Sequence, residues 1–171
     1  MVTRSLSAIL LRDLEAARRE VEGYPDEALL WAAVPGLTNT GGVLVRHLCG
    51  NLQHFIGTVL GGTAYRRNRD AEFLGPPTPR RHLLDELSTT QTAVAATLEQ
   101  LPPRRLEAEY PTPVAGQTLG TLDFLLHLSA HCAFHLGQID YHRRAVSAST
   151  ASVGPMAIPS LATARPVSPA S

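Results

Sequence analysis

Four segments of the chain repeat apolar residues at the spacing of an amphipathic helix, and this repetition limits the fold more than any other feature. They run from Ser5 to about Glu22, from about Thr40 to Leu60, from Thr78 to about Leu101, and from about Thr118 to Val146. Glycine or proline pairs close the second and third segments. Because strand patterns are nearly absent, the sequence predicts an all-α protein built as a four-helix bundle.

The connections between the predicted helices differ in character. Residues 24–39 hold prolines and a glycine around a short apolar patch, which indicates a connection with one short helical piece. Residues 63–79 are polar and are typical of a long surface loop, the kind of segment that often borders a site. Thr78 and Pro79 are the predicted N-cap and first residue of the third helix. Residues 104–116 could hold a short extended piece.

The composition changes sharply near residue 146. Residues 147–171 are rich in serine, alanine, threonine and proline, contain no acidic residue and show no usable period. The chain has 171 residues and 44% hydrophobic content, enough for one compact core. The sequence therefore predicts one folded domain over residues 1–146 and a disordered tail over residues 147–171.

Charge and cysteine content exclude several classes of protein. Fifteen basic residues, all of them arginine, balance fifteen acidic residues, so no net field favours nucleic acid or an anionic membrane. The first residues contain only a short apolar patch, unlike a secretory signal or a membrane span. Cys49 and Cys132 offer no disulfide framework and are expected to be buried thiols. We expect a cytoplasmic protein without nucleic-acid or membrane partners.

Histidines are concentrated on two of the predicted helices. In the fourth helix His127, His131 and His135 follow an i, i+4, i+8 spacing, which places neighbouring pairs about 6 Å apart on one face. The outer two lie about 12 Å apart along the axis and cannot share one ion, so one of the three is excluded. The second helix offers His47 and His54, almost two turns apart, and only one of them can lie level with the pair. Spacing predicts a three-histidine metal site but does not decide which histidines of the two helices are the ligands.

Several other polar residues are candidates for a role at such a site. Imidazoles buried on the seam of a bundle carry polar nitrogens that one cation would satisfy together. Asn51, between the two histidines of the second helix, is available to hydrogen-bond a ligand. Asp70 and Glu72 could reach inward from the polar loop, although acidic loop residues are usually solvated. The chain contains no serine–histidine–aspartate or phosphate-loop pattern that would indicate another chemistry.

The stretches HLCGNLQHFIGTVLGG, RNRDAEF and HLSAHCAFHLGQIDYHRR resemble the DinB-like (YfiT-like) metalloenzyme superfamily. The resemblance extends from the first helix to about Arg144 and is nearest to a DinB-like subgroup whose function is uncharacterised. It implies a four-helix bundle that binds one divalent metal through three histidines. Carried over residue by residue, the ligands are His47, His131 and His135.

The same resemblance assigns the remaining histidines. His54 and His127 become neighbours of the site, and His82 and His142 are expected at the surface. Cys132 follows a ligand in sequence, but one residue turns a helix by about 100°, so we expect this thiol to pack away from the metal.

Three nitrogen ligands favour zinc or nickel, with iron and manganese as alternatives. They leave positions where a water or a thiol can bind and lose a proton more readily. Relatives include enzymes that use bacillithiol or mycothiol, so the resemblance implies a metal-dependent thiol S-transferase or a hydrolase-like enzyme with a small-molecule substrate. Arg143 and Arg144 could hold the acidic groups of such a thiol, but a basic last turn also complements the helix dipole. The alternative is a non-enzymatic stress-response module, a homodimer that the metal stabilises.

Overall fold

The computed structural model describes residues 2–167 and confirms the all-α prediction. In chain order the helices are α1 (Val2–Glu22), α2 (Gly41–Leu52), α3 (Arg69–Leu74), α4 (Arg80–Gln100), α5 (Pro103–Leu106) and α6 (Thr121–Ser147). Short 3-10 segments span Glu27–Trp31 and Ile158–Ser160. Extended pairing within residues 2–167 is limited to two isolated bridges, one joining Glu109 to Gly120 and the other Val114 to Gln117.

The four long helices α1, α2, α4 and α6 form a bundle around one leucine-rich core. Helix α1 packs against α4 and α6, and α2 packs against the same two helices, so α1 and α2 occupy opposite corners. The apolar stripe of α1 includes Leu6, Leu10 and Leu14, which are all buried at the bundle centre. Because α2 and α6 are neighbours, the two histidine-bearing helices face each other.

The start of α4 differs from the prediction. The helix begins at Arg80, with Pro79 at the cap position in an extended conformation, and Thr78 makes no capping bond. The Oγ1 atom of Thr78 is buried without a hydrogen-bond partner among the described residues. The backbone N–H of Arg80 instead donates to Oε2 of Glu27 at 2.7 Å. A carboxylate from the connection between α1 and α2 thus caps this helix, which explains why the local Thr-Pro signal was wrong.

Helix α2 does not run to residue 60 as one regular α-helix. Thr40 caps its start, with Oγ1 accepting from the N–H of Val43 at 3.4 Å. From Gln53 to Thr58 the backbone widens into π-helical turns, in which the N–H of Val59 donates to the carbonyl of His54 at 3.0 Å. The continuous α-helix that would place His54 on the same face as His47 is therefore interrupted.

The polar connection between α2 and α4 is a surface segment that contains a short helix. Asn68 caps α3, its Oδ1 accepting from the N–H of Ala71 at 3.0 Å. Arg46 of α2 binds the far end of α3, donating to the carbonyls of Gly75 at 3.0 Å and Pro76 at 2.9 Å. These contacts hold α3 against α2 and bring one of its acidic side chains inward.

Helix α6 ends at Ser147, and a φ of +52° at the following Ala148 turns the chain away. Residues 148–167 are irregular apart from the 3-10 segment. Arg143 donates to the carbonyl of Ala151 at 2.7 Å, so the start of this stretch contacts the bundle. The predicted tail also includes residues 168–171, which lie outside the described residues, and disorder of the tail stays a prediction. Within residues 2–167, no helix combines the length and apolar character needed to span a membrane.

Candidate metal centre

Three histidine Nε2 atoms converge between α2 and α6. Nε2 of His131 lies 3.3 Å from Nε2 of His47 and 3.1 Å from Nε2 of His135. One ligand atom from each residue falls within 4.8 Å of the others, close enough to hold one ion together. The structure therefore brings together the three residues named by the resemblance, and it leaves His54 and His127 outside the group.

Hydrogen bonds on the opposite ring nitrogens orient two of these imidazoles. Nδ1 of His47 lies 2.9 Å from Oε2 of Glu72, and Nδ1 of His135 lies 2.6 Å from Oε1 of Gln138. Carboxylate and amide oxygens accept hydrogen bonds, so each Nδ1 carries the proton. The Nε2 lone pairs of His47 and His135 consequently face the centre. This donor set fits a cation.

The third imidazole, His131, is also suited to a cation. Burial, reinforced by the neighbouring His135 and His47, lowers the pKa of His131 to about 4. Burial lowers the pKa of His135 as well, although the bond to Gln138 opposes this. Both rings are therefore neutral near pH 7, as metal ligands must be. Lone pairs gathered in so small a volume repel one another, and a cation removes that repulsion.

Glu72 is the inward-facing acid of the connection, whereas Asp70 is exposed. The Glu72 side chain is 5% exposed and forms an ion pair with Arg67. Nε of Arg67 donates to Oε1 at 2.7 Å, and Nη2 donates to Oε2 at 2.9 Å. Burial opposes ionisation of Glu72, but the bonds from Arg67 and His47 outweigh it and lower the pKa of this carboxyl. Glu72 binds the outer side of the His47 ring, so it does not complete the ligand group.

Asn51 does not take the role predicted for it. Its side chain is buried, but its Oδ1 has no hydrogen-bond partner within residues 2–167, and the Nδ1 atom of His47 is bound by Glu72 instead. Glu72 was foreseen only as one of two acids that could reach inward. The sequence did contain one signal for the short helix that buries Glu72, because Asn68 is a typical N-cap residue.

The other four histidines of the chain lie outside the cluster. His54 is half-buried beside Phe55, and burial lowers its pKa. His127 is exposed and stacks on Phe124 with ring centroids 6.0 Å apart. His82 is exposed, as expected.

His142 was expected at the surface, and this prediction is wrong. The residue is 1% exposed and lies between the hydroxyl of Tyr24, 2.8 Å from Nδ1, and the carbonyl of Ala32, 2.9 Å from Nε2. The connection between α1 and α2 covers this face of α6. Local periodicity carries no information about that long-range cover, so the burial was not visible in the sequence.

The two arginines that follow His142 are engaged in ion pairs. Arg143 is buried, with its guanidinium paired to Glu20 of α1 and, at 3.3 Å, to Asp140. Arg144 pairs with the same Asp140 at 3.1 Å. Arg143 is thus a structural cation inside the bundle, and the suggestion that it holds a thiol's acidic groups is wrong.

Both cysteines are free and buried, as predicted. Burial raises the pKa of Cys49 to about 12 and raises that of Cys132 as well. Cys132 lies in the core although it follows His131 in sequence. Neither thiol is a nucleophile near pH 7.

A pocket of about 650 Å³ borders the histidine cluster at His135. It lies between the connection before α2 and one face of α6, and it is lined by Gly36, Leu37, Thr38, Asn39, Leu44, Phe134, His135, Gly137, Gln138 and Tyr141. Residues 63–79 do not contribute to this lining, although Glu72 of that segment contacts His47. A larger pocket of about 850 Å³, between α4, α5 and the end of the π-helical segment, includes no histidine in its lining. We assign the smaller pocket to the site because it reaches a candidate ligand.

A protein-family model described as the DinB superfamily matches residues 9–139. The chain belongs to the DinB superfamily. The matched range runs from α1 into α6 and includes all three clustered histidines. DinB-like proteins bind metals, and the cluster could hold a metal ion. Searches of curated proteins and of solved structures found no match to the chain.

Proposed function

We propose that this DinB-superfamily chain is a metal-dependent enzyme whose cation is held by His47, His131 and His135. The observation that carries the proposal is the convergence of three Nε2 atoms, with two Nδ1 atoms engaged by oxygen acceptors. An all-nitrogen ligand set favours zinc or nickel over iron or manganese.

The surroundings of the cluster support catalysis rather than a purely structural metal. Structural zinc sites have four protein ligands, whereas catalytic sites keep a position for water or substrate. Among residues 2–167, the cluster contains three candidate ligand residues and no fourth. The pocket beside His135 gives a small molecule a place next to these ligands.

A bound divalent cation would lower the pKa of a coordinated thiol or water and so supply a nucleophile near neutral pH. The reaction that we propose is thiol S-transfer, in which the sulfur bonds to an electrophilic carbon, the thiol proton passes to solvent and the leaving group departs with its electron pair. Water in place of the thiol gives the hydrolase-like variant. Asn39 and Gln138 offer amide groups to orient the electrophile, and Leu37 and Phe134 offer apolar contact.

A low-molecular-weight thiol such as mycothiol or bacillithiol is the co-substrate suggested by the family resemblance. Cys49 and Cys132 are both free and unreactive, so the nucleophilic sulfur must come from such a molecule rather than from the protein. Free buried cysteines also suit the reducing cytoplasm, where we propose the protein acts.

A thiol panel tests the proposal. Mycothiol, bacillithiol, glutathione and cysteine are each offered with a model electrophile, with and without added zinc or nickel. We expect metal-dependent turnover with one thiol, its loss in His131→Ala, and its retention in His127→Ala, which removes an exposed imidazole one turn earlier on α6. Equal turnover by both variants would refute the assignment of His131.

The second candidate function is a metal-stabilised homodimer without enzymatic activity. One observation favours it: Phe134 is 63% exposed and Tyr141 is 72% exposed, and both lie on α6 beside the pocket. In that case chelation would lower the melting temperature and shift the oligomeric state, measured by light scattering, while no thiol in the panel turns over. Metal-dependent turnover by a monomer would exclude this candidate.

A further inference from the structure

We propose that Glu72, clamped by Arg67, is the positioning residue that prepares His47 to bind a metal. By accepting a hydrogen bond from Nδ1–H, the carboxylate leaves the Nε2 lone pair of His47 directed at His131 and His135. The inference rests on the proposed metal site, but it concerns a residue outside the ligand group.

The contacts around Glu72 fix the carboxylate from two sides. Arg67 makes a bidentate pair with it at 2.7 and 2.9 Å, a planar arrangement that sets the orientation of both oxygens. Oε2 then lies 2.9 Å from Nδ1 of His47. Nη2 of Arg67 is farther from Nδ1, at 3.4 Å, and already donates to Oε2. The nearest partner of Nδ1 is therefore an acceptor.

The backbone of α2 is shaped to admit this carboxylate. Gly50 lies one turn after His47 on the same face of the helix. A Cβ at this glycine would overlap Oε1 of Glu72 and lie 2.8 Å from its Cδ. Only the absence of a side chain at this position lets the carboxylate reach the ring. Gly50 therefore contributes to the Glu72–His47 contact, although it makes no polar contact itself.

The anchoring of α3 keeps Glu72 in place. Asn68 caps the start of α3, and Arg46, the residue before His47, binds the two carbonyls beyond its end. The carboxylate is thus carried by a capped helix whose far end is bound to α2. Such a rigid support reduces the conformational entropy lost when the ligand set binds a cation.

The consequence for His47 follows from imidazole chemistry. A neutral ring has one N–H, and the acceptor on Nδ1 decides that Nε2 carries the lone pair. Removing such an outer partner from a metal-binding histidine typically weakens metal binding about 10- to 100-fold. We therefore expect Glu72→Ala to weaken zinc binding to this extent, since it removes the acceptor and leaves Nη2 of Arg67, a donor 3.4 Å from Nδ1, beside the ring.

The experiment measures the tautomer of His47 and the zinc affinity separately. In the metal-free full chain, two-bond proton–nitrogen NMR correlations distinguish the Nδ1–H and Nε2–H forms of His47. Zinc affinity is measured by competition with a chromophoric chelator. We expect Nδ1–H in the wild type, a shift towards Nε2–H in Glu72→Ala and Gly50→Ala, and about 10- to 100-fold weaker zinc binding in both. Asp70→Asn, an exposed acid on the same helix, should match the wild type in both measurements.

The outcomes separate the two proposals. Predominant Nε2–H in wild-type His47 overturns the positioning role, and that result requires no variant to fold. Unchanged zinc affinity in folded Glu72→Ala also overturns it, while the proposed metal site stands. If the wild type has the Nδ1–H form but binds no zinc, the proposed function fails, whereas the Glu72–His47 contact is confirmed.

Discussion

Replacing Arg143 with methionine should strongly destabilise the bundle. Arg143 is 3% exposed and pairs with Glu20, whose side chain is fully buried. Methionine keeps most of the apolar stem, so the main loss is the charge that neutralises Glu20. Leaving one member of a buried ion pair alone costs about 3–5 kcal/mol. For a domain of this size the melting temperature should fall by about 6–20 °C.

The pH dependence of this loss adds a second check. Burial raises the pKa of Glu20 and Arg143 opposes that effect, so removing Arg143 raises the pKa further. The folded variant then holds a proton that the unfolded carboxyl has released, and its stability falls as pH rises above about 4.3. We therefore expect a larger deficit at pH 8 than at pH 5, measured by urea denaturation.

The matched control is Arg144→Met, the neighbouring residue on α6. Arg144 is partly exposed and pairs with Asp140, so its loss should cost no more than about 1 kcal/mol. Equal effects of the two substitutions would refute the reasoning, as would a deficit for Arg143→Met that shrinks with rising pH.

Three further predictions concern packing, titration and thiol access. Gly42→Ala would place a Cβ 2.7 Å from the ring of Trp31. The substitution should lower the free energy of unfolding by about 1–3 kcal/mol, although alanine has the better helix propensity. Denaturation followed by the fluorescence of this single tryptophan measures the effect, and an unchanged midpoint would contradict the prediction. Burial lowers the pKa of His142, so the unfolded state binds more protons than the folded state and stability falls from about pH 7 to pH 5. His142→Gln should reduce this fall in stability. Parallel stability–pH profiles of the variant and the wild type would contradict the prediction. Cys49 and Cys132 should react with a thiol reagent only after denaturation, and rapid labelling of the native protein would show that their burial is wrong.

The long helices could be predicted because their signal is local. Apolar residues every three or four positions indicate which face of α1 or α6 will be buried, whatever that face packs against. The same geometry showed that His131 can share an ion with one neighbour on its helix, either His127 or His135, but not with both.

The remaining features depend on how distant segments meet. The choice between His47 and His54 is set by the level at which α2 lies along α6, and local spacing does not contain that information. Glu72 is buried because α3 folds back onto Gly50, and His142 is buried because the connection after α1 covers it. The resemblance to the DinB-like family supplied the ligand choice that helical geometry left open.

The most direct test of the proposed metal centre is the metal content of untagged protein purified without a metal-affinity column. Mass spectrometry should find about one divalent ion per chain, zinc or nickel, in the wild type and in His127→Ala, and almost none in His131→Ala. Circular dichroism should show that all three proteins are folded, so that metal loss is not a result of unfolding. Equal metal content in folded wild type and His131→Ala would contradict the central claim.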